Sequence, residues 1–302
     1  MINTENLTVY YGSHRGIEEV NLEVRQGEVF GFLGPNGAGK TTTERVLLDV
    51  LRPTAGKAFI FGLDCRKNGR DIRKRIGYLP GELKLYEHMT GSSYLKMIGS
   101  LDQKKPDGAY TEELCERLEL DPRRKIKEYS RGNKQKIGVV AAFMGKPDLL
   151  ILDEPTTGLD PLKQQVVIDL VREVKKEGRT VFLSSHILGE VQAVCDRVGI
   201  IREGRLIKTE SVEALTSQQF KRLKIRTRKP VPEKAFTMEG VRELQRDPEG
   251  REITLEISDR LEEVLRRSLD FGLENLDTQA VTLEEVFLAY YGNGKNGGNI
   301  HG

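Results

Sequence analysis

The sequence predicts an α/β fold around a parallel sheet, with an antiparallel β subdomain, an inserted helical subdomain and a small C-terminal α+β domain. Two observations lead to this prediction. Short apolar strands alternate with helical stretches between about residues 29 and 201, and the first of these strands runs through a glycine-rich loop into a helix. Apolar strands that alternate with helices are typical of a parallel sheet with both faces covered.

The first part of the chain predicts short strands, separated by glycine turns, and one helix. The strands are expected at Leu7 to Tyr11, Ile17 to Val24, Val29 to Leu33 and Ala58 to Phe61. The helix is expected from Thr42 to Leu51, because apolar residues such as Val46 and Val50 recur on one face and Pro53 ends it.

Helical patterns then dominate residues 82–145, which we interpret as a subdomain inserted into a first domain that spans residues 1–216. Its helices are expected at Ser92 to Ile98, Thr111 to Leu120 and Ile137 to Met144. Beyond them the strand-like runs return, at Leu149 to Leu152, Thr180 to Ser184 and Val198 to Ile201, with a helix from Leu162 to Glu177.

A new pattern starts near residue 217 and predicts a C-terminal domain over residues 217–291. Its order of strand, short helix, two strands, helix and strand suggests a ferredoxin-like module. The main elements are expected at Leu223 to Thr227, Val241 to Arg246, Glu252 to Ile257, Arg260 to Phe271, Leu273 to Gln279 and Leu283 to Tyr291. Residues 292–302 are rich in glycine and predict a mobile tail.

Composition excludes several classes of protein. The chain has 48 Lys and Arg against 46 Asp and Glu, and this net charge of +2 gives no indication of a nucleic-acid surface. No run approaches the roughly 18 apolar residues that a membrane span needs, and no secretion signal is visible, so we expect a cytoplasmic protein. The three cysteines, Cys65, Cys115 and Cys195, are far apart, which favours neither disulfides nor a zinc site.

The glycine-rich loop reads Gly-Pro-Asn-Gly-Ala-Gly-Lys-Thr-Thr over residues 34–42, a G-x-x-x-x-G-K-T phosphate loop between a strand and a helix. Glycines let the backbone turn its N–H groups toward phosphate oxygens, and the helix adds its positive end. A dinucleotide site is excluded, because Thr42 stands where the last glycine of G-x-G-x-x-G would be. The sequence therefore predicts a P-loop NTPase core in which the phosphate ligands are Asn36, Gly37, Ala38, Gly39, Lys40, Thr41 and Thr42.

Two acids end the apolar strand that begins at Leu149. At the edge of a parallel sheet, Asp153 can hold Mg²⁺ together with the Thr41 hydroxyl, and Glu154 can polarise the attacking water. The plainer alternative is that these acids only end a buried strand at the surface. His186 follows another predicted strand, so we expect it at the same edge, in contact with the terminal phosphate and the water.

Taken together, these motifs resemble those of the ATP-binding subunits of ABC transporters, and the resemblance covers roughly residues 2–216. Residues 34–42 are similar to their Walker A motif, residues 149–154 to Walker B with Glu154 as the catalytic acid, residues 158–160 to the D-loop, and His186 to the switch histidine. Tyr11 matches the aromatic residue that stacks on adenine, although a tyrosine in a strand also commonly packs on a neighbour. The resemblance implies ATP and Mg²⁺ as cofactors.

Two segments depart from the family pattern. In the stretch that resembles the LSGGQ signature, Arg131 replaces a glycine, whereas Ser130 and Gly132, which the family places against the γ-phosphate, remain. Gly81 stands where the family usually has a glutamine that touches Mg²⁺. Glu82 either supplies an oxygen ligand in its place or is a solvated glutamate at a helix start.

The resemblance also implies partners. Two such subunits pair head to tail, so that Ser130 and Gly132 of one close over ATP held by Lys40 of the other, in a homodimer or a heterodimer. They drive a separate integral-membrane permease from the inner face of the membrane. Residues 282–292 resemble the ending of exporter subunits, which favours export. Two other readings stay open here: a soluble ABC ATPase acting on ribosomes or DNA, and a catalytically silent binding module.

Overall fold

This computed structural model describes residues 1–101, 106–217, 221–257 and 260–279. The chain divides into two units, Met1–Ser211 and Val212–Gly302, a few residues before the boundary that the sequence places at residue 216. The helix expected from Leu283 to Tyr291 and the tail expected over residues 292–302 lie outside the described residues.

The first unit contains an antiparallel sheet in the order β2-β1-β5-β6, with a fifth strand, β3, paired to β1. Its strands are β1 (Ile2–Tyr11), β2 (His14–Val20), β3 (Glu23–Val24), β5 (Ala55–Ile60) and β6 (Leu63–Asp64). The long β1 strand ends at Tyr11, which places the candidate adenine-stacking residue at the end of this sheet.

The second sheet of this unit has six strands in the order β11-β10-β4-β9-β8-β7. They are β4 (Val29–Leu33), β7 (Ile76–Leu79), β8 (Leu149–Asp153), β9 (Thr180–Ser185), β10 (Arg197–Arg202) and β11 (Arg205–Ser211). All neighbours except β10 and β11 are parallel, and β4, β8 and β9 are buried at every residue. The predicted parallel core is therefore confirmed, with both faces covered.

The register of the parallel sheet brings three strand ends together. Leu33 of β4 lies opposite Ser185 of β9, and Asp153 of β8 lies opposite Ser184. The residues that follow β4, β8 and β9 consequently leave the sheet at one edge, where ligands bind in open α/β sheets.

Helices cover the parallel sheet and form the inserted subdomain. They are α1 (Lys40–Leu47), α2 (Cys65–Arg73), α3 (Gly91–Gly99), α4 (Gly108–Arg117), α5 (Arg131–Phe143), α6 (Pro161–Lys176) and α7 (Leu188–Val194), with a 3-10 turn at Ile126–Glu128. The prediction that the first helix extends to Leu51 is wrong. The helix ends at Leu47, Asp49 adopts a left-handed φ of 55°, and Val50 is 70% exposed instead of packing on the helical face.

The second unit begins with α8 (Val212–Ser217) and contains a four-stranded antiparallel sheet in the order β13-β14-β12-β15. Its elements are β12 (Lys221–Thr227), β13 (Val241–Arg246), β14 (Glu252–Ile257), α9 (Leu261–Asp270) and β15 (Leu273–Gln279). The short helix expected between the first two strands is absent, because residues 228–240 form bends, turns and irregular backbone. Pro230 and Pro232 lack backbone N–H donors and disfavour a helix there. Phe236 in this turn segment still packs into the core.

Candidate nucleotide site

The loop between β4 and α1 uses its glycines in two ways. Gly37 and Gly39 adopt φ angles of 80° and 112°, a region that residues with a Cβ avoid. Gly34 does not need a positive φ, but a Cβ on it would lie 2.6 Å from the carbonyl oxygen of Ile201. The loop is therefore shaped by backbone conformation at two glycines and by close approach at the third. The amide of Ala38 is turned inward and donates to the Pro35 carbonyl at 3.1 Å.

Lys40, the first residue of α1, is 5% exposed and points its ammonium group into this loop. Its Nζ donates to the carbonyl oxygens of Gly34 at 2.6 Å and Pro35 at 3.3 Å. The same Nζ lies 3.4 Å from Oε1 of Glu154. The ammonium group thus stands between loop carbonyls and a carboxylate, where a phosphate oxygen can exchange with one of these contacts.

Thr41 and Asp153 form the oxygen-rich part of the site. The Thr41 hydroxyl donates to Oδ2 of Asp153 at 2.9 Å, and the Ser184 hydroxyl donates to Oδ1 at 2.6 Å. Within the described ranges no group of three or more His, Cys, Asp or Glu side chains is arranged to hold a metal. Mg²⁺ typically uses one or two carboxylates and completes its shell with phosphate and water. The Thr41 and Asp153 oxygens fit that requirement.

Glu154 follows β8 and has an unusual backbone. Its φ is 51°, a left-handed conformation that costs roughly 1–2 kcal/mol for a residue with a Cβ. Its N–H donates to the Ser184 carbonyl at 3.0 Å. Oε2 lies 2.7 Å from Nδ1 of His186, whereas Oε1 is buried and has no aligned hydrogen-bond donor despite the nearby Lys40. Oε1 is therefore the carboxylate oxygen that lacks a hydrogen bond among the described residues.

A cleft of about 780 Å³ opens beside these groups, and Lys40, Thr41, Asp153 and Glu154 line it. Asn36, Gly37, Gly39 and Thr42 line it as well. Tyr11 stands at its edge, 46% exposed, with Oη 3.4 Å from Oγ1 of Thr42. A Cβ on Gly16 would lie 2.8 Å from the Tyr11 ring, so the ring covers Gly16. The aromatic face that the sequence predicts near the phosphate loop is available there.

Packing against Asp153 favours glycine at position 81, which the sequence alone does not reveal. A Cβ at this position would lie 2.9 Å from Oδ2 and 3.1 Å from Cγ of Asp153, so any larger residue requires that carboxylate to move. Glu82 is exposed and lines the same cleft. Among the described residues, no hydrogen bond or ion pair fixes its carboxylate.

Ser130 and Gly132 lie apart from the cleft. Ser130 caps α5 by accepting a hydrogen bond from the Asn133 amide at 3.2 Å, and it is exposed. A Cβ on Gly132 would lie 3.1 Å from the Gly158 carbonyl oxygen. Neither residue lines the cleft around Lys40. The cleft therefore contains neither of the two residues that the family resemblance places against the γ-phosphate.

Glu44 is a buried acid beside the site that the sequence analysis missed. It lies on α1, is fully buried, and neither of its carboxylate oxygens has a hydrogen-bond partner among the described residues. Burial, and then the charge of Asp153, raise its pKa well above the usual range, whereas the Ser184 hydroxyl acts in the opposite direction. The sequence feature that indicates its burial is spacing. Glu44 lies three residues before Leu47 and four before Leu48, which places it on the buried face of α1.

The chain is similar to known proteins in both sequence and structure. A family model described as ABC transporter matches residues 17–157. The chain is 38% identical over 225 residues to the bacitracin transport ATP-binding protein BcrA of Bacillus licheniformis, covering 74% of each chain. It is 33% identical over 289 residues to the daunorubicin resistance ATP-binding protein DrrA3 of Streptomyces coeruleorubidus, covering 92% of each.

A solved structure of an ATP-binding subunit of an ABC transporter superposes with a TM-score of 0.66 at 28% identity, covering 72% of this chain and 92% of that one. No helix in the described part of the chain is both long and apolar enough to cross a membrane.

Proposed function

The chain belongs to the ABC transporter family of ATP-binding subunits, and we propose that Glu154 and His186 hydrolyse ATP held by the loop of residues 34–42. As a member of this family it is an ATPase that works with a separate permease. One observation carries the assignment of residues. Lys40, Asp153, Glu154 and His186 lie at one sheet edge, and Glu154 contacts both the Lys40 ammonium group and the His186 ring, which supports this assignment.

In this proposal each side chain has one task. Lys40 and the loop amides neutralise the phosphates, and Oε1 of Glu154 accepts a proton from the attacking water. His186 holds the other carboxylate oxygen at 2.7 Å and orients it. Thr41 and Asp153 would hold Mg²⁺, which when bound draws charge from the phosphate oxygens. Tyr11 offers its ring to adenine at the edge of the cleft.

We also propose Glu82 as a ligand of Mg²⁺. It lines the cleft beside Gly81, and among the described residues no hydrogen bond or ion pair fixes its carboxylate. The test is the Mg²⁺ concentration that gives half-maximal ATP hydrolysis. Glu82→Ala should raise it several-fold, whereas Glu116→Ala, an exposed glutamate on α4, should not. An unchanged Mg²⁺ dependence in Glu82→Ala would leave Glu82 as a solvated residue.

The hydrolytic site needs a second subunit in this proposal. Ser130 and Gly132 lie away from the cleft around Lys40, so each chain would supply the signature segment to nucleotide on the other. The partner is a second copy or a similar subunit, and the pair acts at the cytoplasmic face through the permease.

Export is the direction we propose. The names of BcrA and DrrA3 refer to bacitracin transport and daunorubicin resistance, and removal of an antibiotic from the cell would account for both. In the same scheme the C-terminal unit would brace the dimer or regulate it.

The experiment uses the full chain with an affinity tag, recovered from detergent-solubilised membranes of its host. We expect an integral-membrane protein to copurify, and we expect the complex to hydrolyse MgATP. Lys40→Ala should abolish hydrolysis while leaving the membrane partner bound. Turnover without any membrane partner would contradict the transport role, and a complex without turnover would contradict the catalytic one.

A further inference from the structure

The first turns of α5 are bonded to the backbone that carries Glu154. Gln135, on α5, is 8% exposed, and its Nε2 donates to the carbonyl oxygens of Glu154 at 3.2 Å and Pro155 at 3.0 Å. One amide group thus spans two consecutive peptide units directly after β8. A buried glutamine that donates to two neighbouring carbonyls restrains their orientation, because a buried carbonyl that loses a donor is destabilising.

This orientation matters because Glu154 is in the left-handed region, with φ at 51°. Such a conformation persists only where the surroundings determine it. Three further contacts hold the same segment. The Glu154 amide donates to Ser184, the Thr157 amide donates to the Glu154 carbonyl at 3.2 Å, and the Thr156 hydroxyl bonds the Glu190 carboxylate. Of the contacts on residues 154–157 named so far, those of Gln135 come from α5.

A second set of contacts joins α5 to the same segment further along. Arg131 packs over Gly158, whose φ is 79°, with Nε 3.5 Å from the position a Cβ would take. Gly132 approaches the Gly158 carbonyl so closely that a Cβ would lie 3.1 Å from its oxygen. The start of α5 and residues 154–158 therefore form one packed unit, with Ser130 at its exposed end and Glu154 at its buried end.

We propose that Gln135 is a positioning residue for hydrolysis, which fixes the Glu154–Pro155 backbone and links the carboxylate to the start of α5. This inference rests on the proposed function, because it takes Glu154 as the group that activates water. Engagement of Ser130 and Gly132 by nucleotide on a second chain would then be transmitted to Glu154 through α5. A purely structural glutamine would instead stabilise the fold without affecting turnover specifically.

The test is Gln135→Met in the full chain, because methionine has a similar length and volume but no N–H donor. We expect kcat to fall about tenfold, with the KM for MgATP and the affinity for ATP within about twofold of the wild type. Hydrogen exchange should become faster at the amides of Glu154, Thr156, Thr157 and Gly158. The matched control is Gln165→Met, which removes an exposed glutamine bonded to Asp169 at 3.0 Å and should change neither quantity.

A second variant covers the case in which Gln135→Met does not fold. Gln135→Asn keeps the amide on a shorter stem that cannot span both carbonyls, and its kcat should fall by a smaller factor. Either folded variant with wild-type kcat overturns the proposal, as does a parallel loss of kcat, ATP affinity and thermal stability. Failure of the proposed function looks different, because Glu154→Gln would then hydrolyse ATP as the wild type does.

Discussion

Each oxygen of the Glu154 carboxylate lies near a different side chain. Nζ of Lys40 lies 3.4 Å from Oε1, and Nδ1 of His186 lies 2.7 Å from Oε2. In the proposed mechanism, phosphate would draw Lys40 away while the imidazole contact would keep the carboxylate from rotating. His186 is 47% exposed at its side chain, so it can also face a bound phosphate.

Replacement of His186 tests this arrangement. His186→Ala should lower kcat for ATP hydrolysis by about 10- to 100-fold, because Glu154 loses the contact that orients it. ATP affinity should stay within about twofold, since Lys40 and the loop amides remain. Steady-state hydrolysis and equilibrium ATP binding measure the two effects.

The control for that variant is His88→Ala, which removes an exposed histidine outside the cleft. His88→Ala should hydrolyse ATP at the wild-type rate. A His186→Ala protein with unaltered kcat would show that Lys40 and the backbone suffice to position Glu154.

The sequence predicts the site residues that lie at strand ends, but it does not predict the residues whose surroundings depend on tertiary packing. Lys40, Asp153 and His186 follow or end apolar strands, and the parallel register alone brings them to one edge. Glu44 and Gln135 act through burial and through contacts with segments far away in the sequence. A single sequence records neither, because an acid or an amide within a helix looks like a solvated residue until its neighbours are known.

At the scale of elements, α1 packs on the parallel sheet with a carboxyl group at the contact. Glu44 is buried there near Asp153 and Ser184, without a hydrogen-bond partner among the described residues. Its pKa is raised by burial, so the folded protein retains a proton that the unfolded chain releases above the ordinary value of 4.5. The stabilising contribution is therefore fully present below pH 4.5 and is lost as the pH rises toward the elevated folded pKa.

Glu44→Gln should consequently stabilise the nucleotide-free protein at pH 8. A neutral amide of the same shape needs no proton, and we expect a gain of the order of 1 kcal/mol, or about 2–4 °C in Tm. The gain should shrink toward pH 5. Thermal unfolding of both proteins at the two pH values measures it.

Glu116→Gln on the exposed face of α4 serves as the control and should leave Tm unchanged at both pH values. An equal gain from Glu44→Gln at pH 5 and pH 8 would show that the acid does not titrate in this range.

Element boundaries were less predictable than the elements of the core. The strand from Val29 to Leu33 was predicted with its observed bounds, since a buried apolar run between turn signals leaves little choice. The predicted first helix is too long because Val50 continues its apolar pattern. In the structure Asp49 adopts a left-handed conformation, and the chain leaves the helix there. The turn at residues 233–236 replaces a predicted helix, because two prolines precede it.

At the scale of the whole molecule, the proposed function gives each chain two half-sites that do not meet within it. The cleft around Lys40 is one, and the exposed start of α5 at Ser130 is the other. A pair of chains related by twofold symmetry would join each half to its complement and create two equivalent sites.

Mixing two inactive variants tests whether a second copy completes the site. Lys40→Ala removes the phosphate contact, and Ser130→Asp keeps a good helix cap while placing a negative charge toward the phosphate. Each variant alone should be inactive. In an equal mixture about half the dimers are mixed and each has one intact site of two, so roughly a quarter of wild-type activity should return.

No recovery in the mixture, with both variants folded and wild-type mixtures active, would contradict a homodimer. Activity of Ser130→Asp alone would contradict the exchange of signature segments between chains.

The central claim is that the Glu154 carboxylate activates the water that attacks ATP, and a single-turnover measurement on Glu154→Gln tests it most directly. The amide keeps the shape of the side chain but cannot accept the proton. We predict that ATP binds within about twofold of the wild-type affinity while the hydrolysis rate falls at least about 100-fold. A hydrolysis rate within a few-fold of the wild type would contradict the account.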